Sequence, residues 1–117
     1  MEPAASTQVQ TGPPPECVCP DFHAAIELIG KRWTGAIVSA LTERPMRFGE
    51  LRKAIPGLSD RLLSQRLREL EEEGLVQREV EAGSPVRVTY SLTAVGDDLG
   101  PAIFELKAWA KRWKCAG

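Results

Sequence analysis

From Pro20 to Glu73 the apolar residues recur at helical spacing, after Gly74 they alternate, and after Thr93 the helical spacing returns. Phe22, Ile26 and Ile29 line one side of a first helix, which Pro20 opens and Gly30, Lys31 and Arg32 close. Trp33, Ile37 and Leu41, with Val38 beside them, predict a second helix that ends at Arg44 and Pro45. Phe48, Leu51 and Ile55 predict a short third, broken by Pro56 and Gly57.

The stretch from Gly57 to Val76, GLSDRLLSQRLRELEEEGLV, organises the rest. Ser59 is placed to cap a helix whose first turn holds Asp60 near the positive end of the dipole, and Gly74 closes the other end. Leu63, Leu67 and Leu70 fall in one narrow stripe, with Arg61, Ser64, Gln65, Arg68 and Glu72 on the opposite side. The leading turns of that polar side carry donors suited to phosphates and purine edges; the last turn is Glu71, Glu72 and Glu73. A polyanion is attracted to the front of such a helix and repelled by its rear. Only Pro56, Gly57 and Leu58 separate the third helix from Ser59, the spacing of a helix-turn-helix unit. A solvated amphipathic helix with ordinary surface charges is the competing explanation.

Beyond Gly74, Val76 and Val80 alternate with Gln77 and Glu79. Past a loop containing Gly83 and Pro85, Val86, Val88, Tyr90 and Leu92 alternate with Arg87, Thr89 and Ser91, which predicts a hairpin. Arg78 and Arg87 are expected to flank its loop, within reach of phosphates or a minor groove. Thr93 is positioned to cap one final helix, with Pro101 a source of a kink near its start. That helix carries Leu99, Ile103, Leu106, Trp109, Ala110 and Trp113 on one broad face and Pro101, Phe104 and Ala108 on the other. A helix apolar on both sides buries both, and a second copy of the chain is the economical partner. The elements together predict a mostly α winged helix-turn-helix fold with a small antiparallel β-hairpin.

Composition changes this picture in two ways. At 117 residues and 43% hydrophobic content, one domain with a real core is expected over residues 17–117, after a disordered leader, residues 1–16, rich in Pro, Ala, Ser, Thr and Gln. The formal net charge of −1 argues against nucleic acid, but from Arg44 to Arg68 there are seven basic residues against two acidic ones, a local balance of +5. No apolar run approaches the roughly 20 residues needed to span a bilayer, and the N-terminus lacks a signal-peptide pattern, so no membrane partner and a cytoplasmic location are expected.

Taken in order, Cys19 and Pro20, the segment from Ile29 to Thr34, the run Arg47 to Leu51, Leu58 and Ser59 with Leu63, Arg66, Leu67 and Leu70, then Gly74 to Val76, Pro85, Tyr90 to Thr93, Gly96 and Trp109 resemble the HxlR family of bacterial transcriptional regulators, relatives of the MarR group. The resemblance covers nearly everything from Cys19 to Trp109. It implies a regulator, a repressor by expectation, that acts as a homodimer joined through its first and last helices, with Phe22, Ile26, Phe104, Trp109 and Trp113 as interface residues. It further implies two recognition helices on a roughly palindromic double-stranded operator, with Ser64, Gln65 and Arg68 as base readers. Arg61 is then assigned to bases or backbone, Arg47 to phosphates and Arg87 to the wing. Arg66 is excluded, because it projects beside the leucine stripe, where its stem packs and its head pairs with an acid.

Several regulators of that family sense oxidants, quinones or aldehydes through a cysteine just before the first helix, the place of Cys19 here. Unpaired amides at a helix N-terminus stabilise a thiolate, which is the reactive form, although Asp21 opposes this. Cys17 and Cys115 are candidates to resolve an oxidised Cys19. Zinc held by Cys17, Cys19, His23 and Cys115 is disfavoured, since the spacing is unlike the common structural zinc patterns. With one histidine and no nucleophile motif or phosphate loop, neither catalysis nor a cofactor is expected. The readings kept as alternatives are a winged-helix interaction module without DNA binding and a ligand- or metal-responsive regulator.

Overall fold

A computed structural model of the chain describes residues 19–114. The elements among them are α1 (Pro20–Ile29), α2 (Thr34–Glu43), β1 (Met46–Arg47), α3 (Phe48–Ala54), α4 (Asp60–Glu72), β2 (Val76–Glu81), β3 (Arg87–Leu92), α5 (Ala94–Asp98) and α6 (Gly100–Trp113). The expected leader, Cys17 and Cys115 lie outside the described residues. The described residues divide into two compact units, residues 19–31 and 32–114.

In the first unit, α1 starts as expected, with Cys19 as its extended N-cap, Pro20 in the first turn and the Cys19 carbonyl accepting the His23 amide at 3.0 Å. It ends where the Gly30 amide donates to the Ile26 carbonyl at 2.7 Å.

In the second unit, the predicted stripes become one core. Ile37, Val38 and Leu41 of α2, Leu51 of α3, Leu63, Leu67 and Leu70 of α4, and Ile103 of α6 are buried, joined by Met46, Ile55, Leu58, Leu75 and Val76. Full burial of each such side chain stabilises by about 1.5–3 kcal/mol, so the leucine stripe alone fixes α4 firmly about its own axis.

Three expectations change. The sheet is not a hairpin alone: β1 adds a third strand, in the antiparallel order β1-β3-β2, pairing Met46 with Tyr90 and Arg47 with Thr89. Trp33 is not helical; it is the N-cap of α2 in the left-handed region at φ 78°, so α2 begins at Thr34. The single final helix is two, α5 and α6, parted at Leu99. Proline at position 101 has no amide to give the Asp97 carbonyl, so it cannot continue a helix from α5 but suits the first turn of α6.

The junction that seats the sheet is built from two glycines and a threonine. Gly74, at φ 82°, ends α4 by donating to the Glu71 carbonyl at 3.0 Å, while the Leu75 amide donates to the Leu70 carbonyl at 2.9 Å; only glycine takes that backbone freely. Thr93 then joins both ends: its hydroxyl donates to the Gly74 carbonyl at 2.5 Å and accepts the Gly96 amide at 3.2 Å, and its amide donates to the Leu75 carbonyl at 2.9 Å. A Cβ on buried Gly96 would run into that same Leu75 carbonyl and crowd the Leu92 side chain. Gly96→Ala is therefore expected to destabilise by about 1–3 kcal/mol, read as a fall in thermal midpoint, because the obstacle is backbone that cannot swing aside.

Candidate nucleic-acid interface

The N-terminus of α4 is capped as its sequence requires, Ser59 Oγ accepting the Leu62 amide at 3.1 Å. With Leu63, Leu67 and Leu70 inward, Arg61, Ser64, Gln65 and Arg68 emerge together on the exposed side and, with Glu69 and Glu72, line one surface concavity. A second groove joins this face to the sheet and is lined by Ser64, Arg68, Glu71, Arg78 and Tyr90. Arg78 does not flank the hairpin loop as expected. It sits mid-strand opposite Tyr90, whereas Arg87 pairs with Glu81 at the far end of the ladder. The register explains the difference: Val76 is buried at the base of β2, and the period of two puts Arg78 on the same face.

Arg66 lies where it was expected, off the polar face. Its Nη1 donates to Glu69 Oε1 and Oε2 at 3.2 and 3.3 Å, and its Nε donates to the Arg32 carbonyl at 3.0 Å. Asp60, which opens α4, is matched by Arg52 of α3 at 2.6 Å. Arg52 also lines, with Gly49, Lys53 and Pro56, a basic concavity on α3 that sequence reasoning did not single out; the only signal for it was the pair of cations in the last turn of that helix. Arg47 is exposed at the N-cap of α3, its backbone amide donating to Glu50 Oε1 at 2.8 Å. That bond first, and then the charges of Arg44 and Arg47 against a partial loss of hydration, hold the Glu50 carboxyl below its ordinary pKa.

The apolar residues named for an interface are all exposed: Phe22 at 54% and Ile26 at 52% on α1, and Phe104 at 69%, Trp109 at 46% and Trp113 at 70% on α6. The broad face expected of the last helix is split. Ile103 is buried in the unit and Lys107 Nζ donates to Ser39 Oγ of α2 at 2.7 Å, whereas Leu106, Trp109 and Trp113 are left uncovered. Cys19 is a free thiol, half-buried, whose side chain makes no capping hydrogen bond. Among the described residues no group of three or more His, Cys, Asp or Glu side chains forms a metal site, and no helix is long and apolar enough to cross a membrane.

The family model described as HxlR-like helix-turn-helix matches residues 28–116. The chain belongs to the HxlR-like helix-turn-helix family. Like the other members it resembles, this HxlR-like protein is a transcriptional regulator and not an enzyme. It is 46% identical over 96 residues to YvaP of Bacillus subtilis, an uncharacterized HTH-type transcriptional regulator (82% of this chain, 89% of that one). It is 41% identical over 96 residues to the HTH-type transcriptional regulator YodB of the same organism (82% and 86%). The reduced form of YodB superposes with a TM-score of 0.76 at 40% identity, covering 86% of this chain and 98% of that one, and YodB has also been solved diamide-treated and quinone-bound. The redox regulator HypR in its oxidized form gives a TM-score of 0.75 at 35% identity over 79% of this chain and 95% of that one.

In this HxlR-like fold, Glu50 makes the start of α3 sensitive to acid. Because its folded pKa lies below the unfolded one, its stabilising contribution is complete above the ordinary glutamate value and is lost as the pH falls through the folded value. Thermal melts against pH are expected to show wild type above Glu50→Gln at neutral pH, with the gap closing only in the acid range below that ordinary value.

Proposed function

We propose that the protein binds duplex DNA as a homodimer in the cytoplasm and represses from a roughly palindromic operator, with α4 entering the major groove by its N-terminal half. Ser64, Gln65 and Arg68 read base edges, Arg61 serves bases or backbone, and Arg47 and Arg87 hold phosphates from α3 and the wing. Arg78 joins them at the groove between α4 and the sheet. The observation that carries this reading is the single exposed face of Arg61, Ser64, Gln65 and Arg68, backed by fully buried leucines. An interaction module without DNA binding has no use for that cluster of donors. The exposed aromatic residues of α1 and α6 are the surfaces that a second copy would cover.

Selection of duplexes from a random-sequence pool by the purified protein tests the reading. The expected product is a two-fold symmetric site with half-sites one helical turn, about 10–10.5 bp, apart or a multiple of it. Binding should fall steeply with salt, and Arg68→Ala should weaken it by about 1–3 kcal/mol and relax preference at one position in each half-site. Failure to enrich any site, or Arg68→Ala binding like wild type, rules the reading out.

Cys19 is proposed as the sensor of oxidants or electrophiles. Support comes from its place as a half-buried free thiol at the start of α1 and from the solved redox forms of HypR and the diamide-treated and quinone-bound forms of YodB. Diamide is expected to weaken DNA binding by wild type and leave Cys19→Ala unaffected; equal responses from the two proteins refute the assignment.

A further inference from the structure

The turn between α1 and α2 is held in a way that the DNA-reading face does not by itself explain. Trp33 is a bulky residue in the left-handed region, at φ 78°, which such residues adopt only where surroundings over-determine it. Three groups do so here. Its indole lies against the turn before α4, where a Cβ on Gly57 would stand 3.6 Å from the ring. The Arg32 guanidinium covers the ring at 5.1 Å from its centroid. The third is Arg66 from α4 itself, whose Nε donates to the Arg32 carbonyl at 3.0 Å.

Arg66 reaches in the other direction as well. Its side chain is only 14% exposed, and its Nη1 binds both carboxylate oxygens of Glu69, which is 24% exposed. Glu69 Oε2 in turn accepts from Gln65 Nε2 at 3.4 Å, and Gln65 lies on the polar face. The guanidinium thus sits between a strained backbone turn and a side chain that faces outward. The leucine stripe sets the coarse rotation of α4; a planar fork at the stripe's edge, bound to fixed backbone, limits what remains.

We propose that Arg66 is a positioning residue for DNA reading: it sets the presentation of α4 and of Gln65 through the Arg32–Trp33 turn and Glu69, and touches no nucleotide itself. The proposal rests on the DNA-binding reading above and names a residue that reading leaves out. Loss of Arg66 should then lower affinity without changing how many phosphates the protein neutralises.

The test compares wild type, Arg66→Met and Arg66→Lys on a duplex selected by the wild type, at temperatures well below each melting transition. Arg66→Met is expected to bind about fivefold or more weakly, with the slope of log affinity against log salt unchanged. Arg66→Lys, able to satisfy one acceptor but not the fork, is expected to fall between, and stands in if Arg66→Met does not fold. A slope reduced by about one would mark a lost phosphate contact and overturn the proposal. So would wild-type affinity in the folded variants, which would leave Arg66 a merely structural link.

A double-mutant cycle with Trp33→Gly tests the route. Glycine relaxes the turn, so Arg66→Met should cost less affinity in that background than in wild type, and additive effects overturn the proposal. Absence of any DNA binding by wild type would instead sink the functional reading; the same cycle run on thermal stability without DNA would still show non-additivity if the turn and Arg66 are coupled, and additivity there would sink the link as well.

Discussion

Burial of Leu63, Leu67 and Leu70 is the constraint from which the rest of the second unit follows. A helix that hides one stripe this completely has its rotation coarsely set, so burial alone decides which side chains make up its opposite face. The same constraint passes into the sheet. Leu75 and Val76 continue the buried run directly after the glycine turn, and the burial of Val76 at the start of β2 sets which face of that strand looks inward. A slip of one residue would turn Arg78 away from Tyr90 and Arg68 and put Gln77 in its place. Three leucines and a valine thereby decide the makeup of the groove between helix and wing.

How far this was legible in the sequence depended on how local each signal was. The leucine spacing, the Ser59 cap and the Gly74 stop lie within one helix, and they yielded both the boundaries of α4 and the membership of its polar face. Exclusion of Arg66 from that face followed from its angle to the stripe, and its Glu69 partner lies on the same helix. What was not legible depends on distant pairing. A two-residue strand such as β1 has no period to read, and it exists because Met46 and Arg47 meet Tyr90 and Thr89 far along the chain. The place of Arg78 needed the strand register, and the pairing of Arg52 with Asp60 needed the angle between two helices. Trp33 falls on the helical spacing of Ile37 and Leu41; its left-handed backbone is held from outside, by the turn at Gly57 and by the bond from Arg66 to the Arg32 carbonyl.

The Arg32 carbonyl that Arg66 holds lies three residues past the last residue of α1. Gly30 ends that helix in a helical conformation, and a Cβ there would crowd the Ile26 carbonyl at 2.7 Å, so the close approach of backbone rather than a left-handed angle favours glycine at this position.

Charge along α4 breaks a local rule. Three acids of the unit are matched by nearby cations: Asp60 by Arg52, Glu50 by Arg44 and Glu69 by Arg66. Glu71, Glu72 and Glu73 crowd the C-terminal turn, where the helix dipole is negative and each disfavours the helix by about 0.3–1 kcal/mol. Such a departure from local preference is expected where a site needs it. In the proposed complex, those glutamates would stand near phosphates if the helix entered by its rear and face away if it entered by its front. The local penalty then excludes one of two docking directions, a discrimination that Arg61 and Arg68, attractive in either orientation, do not supply.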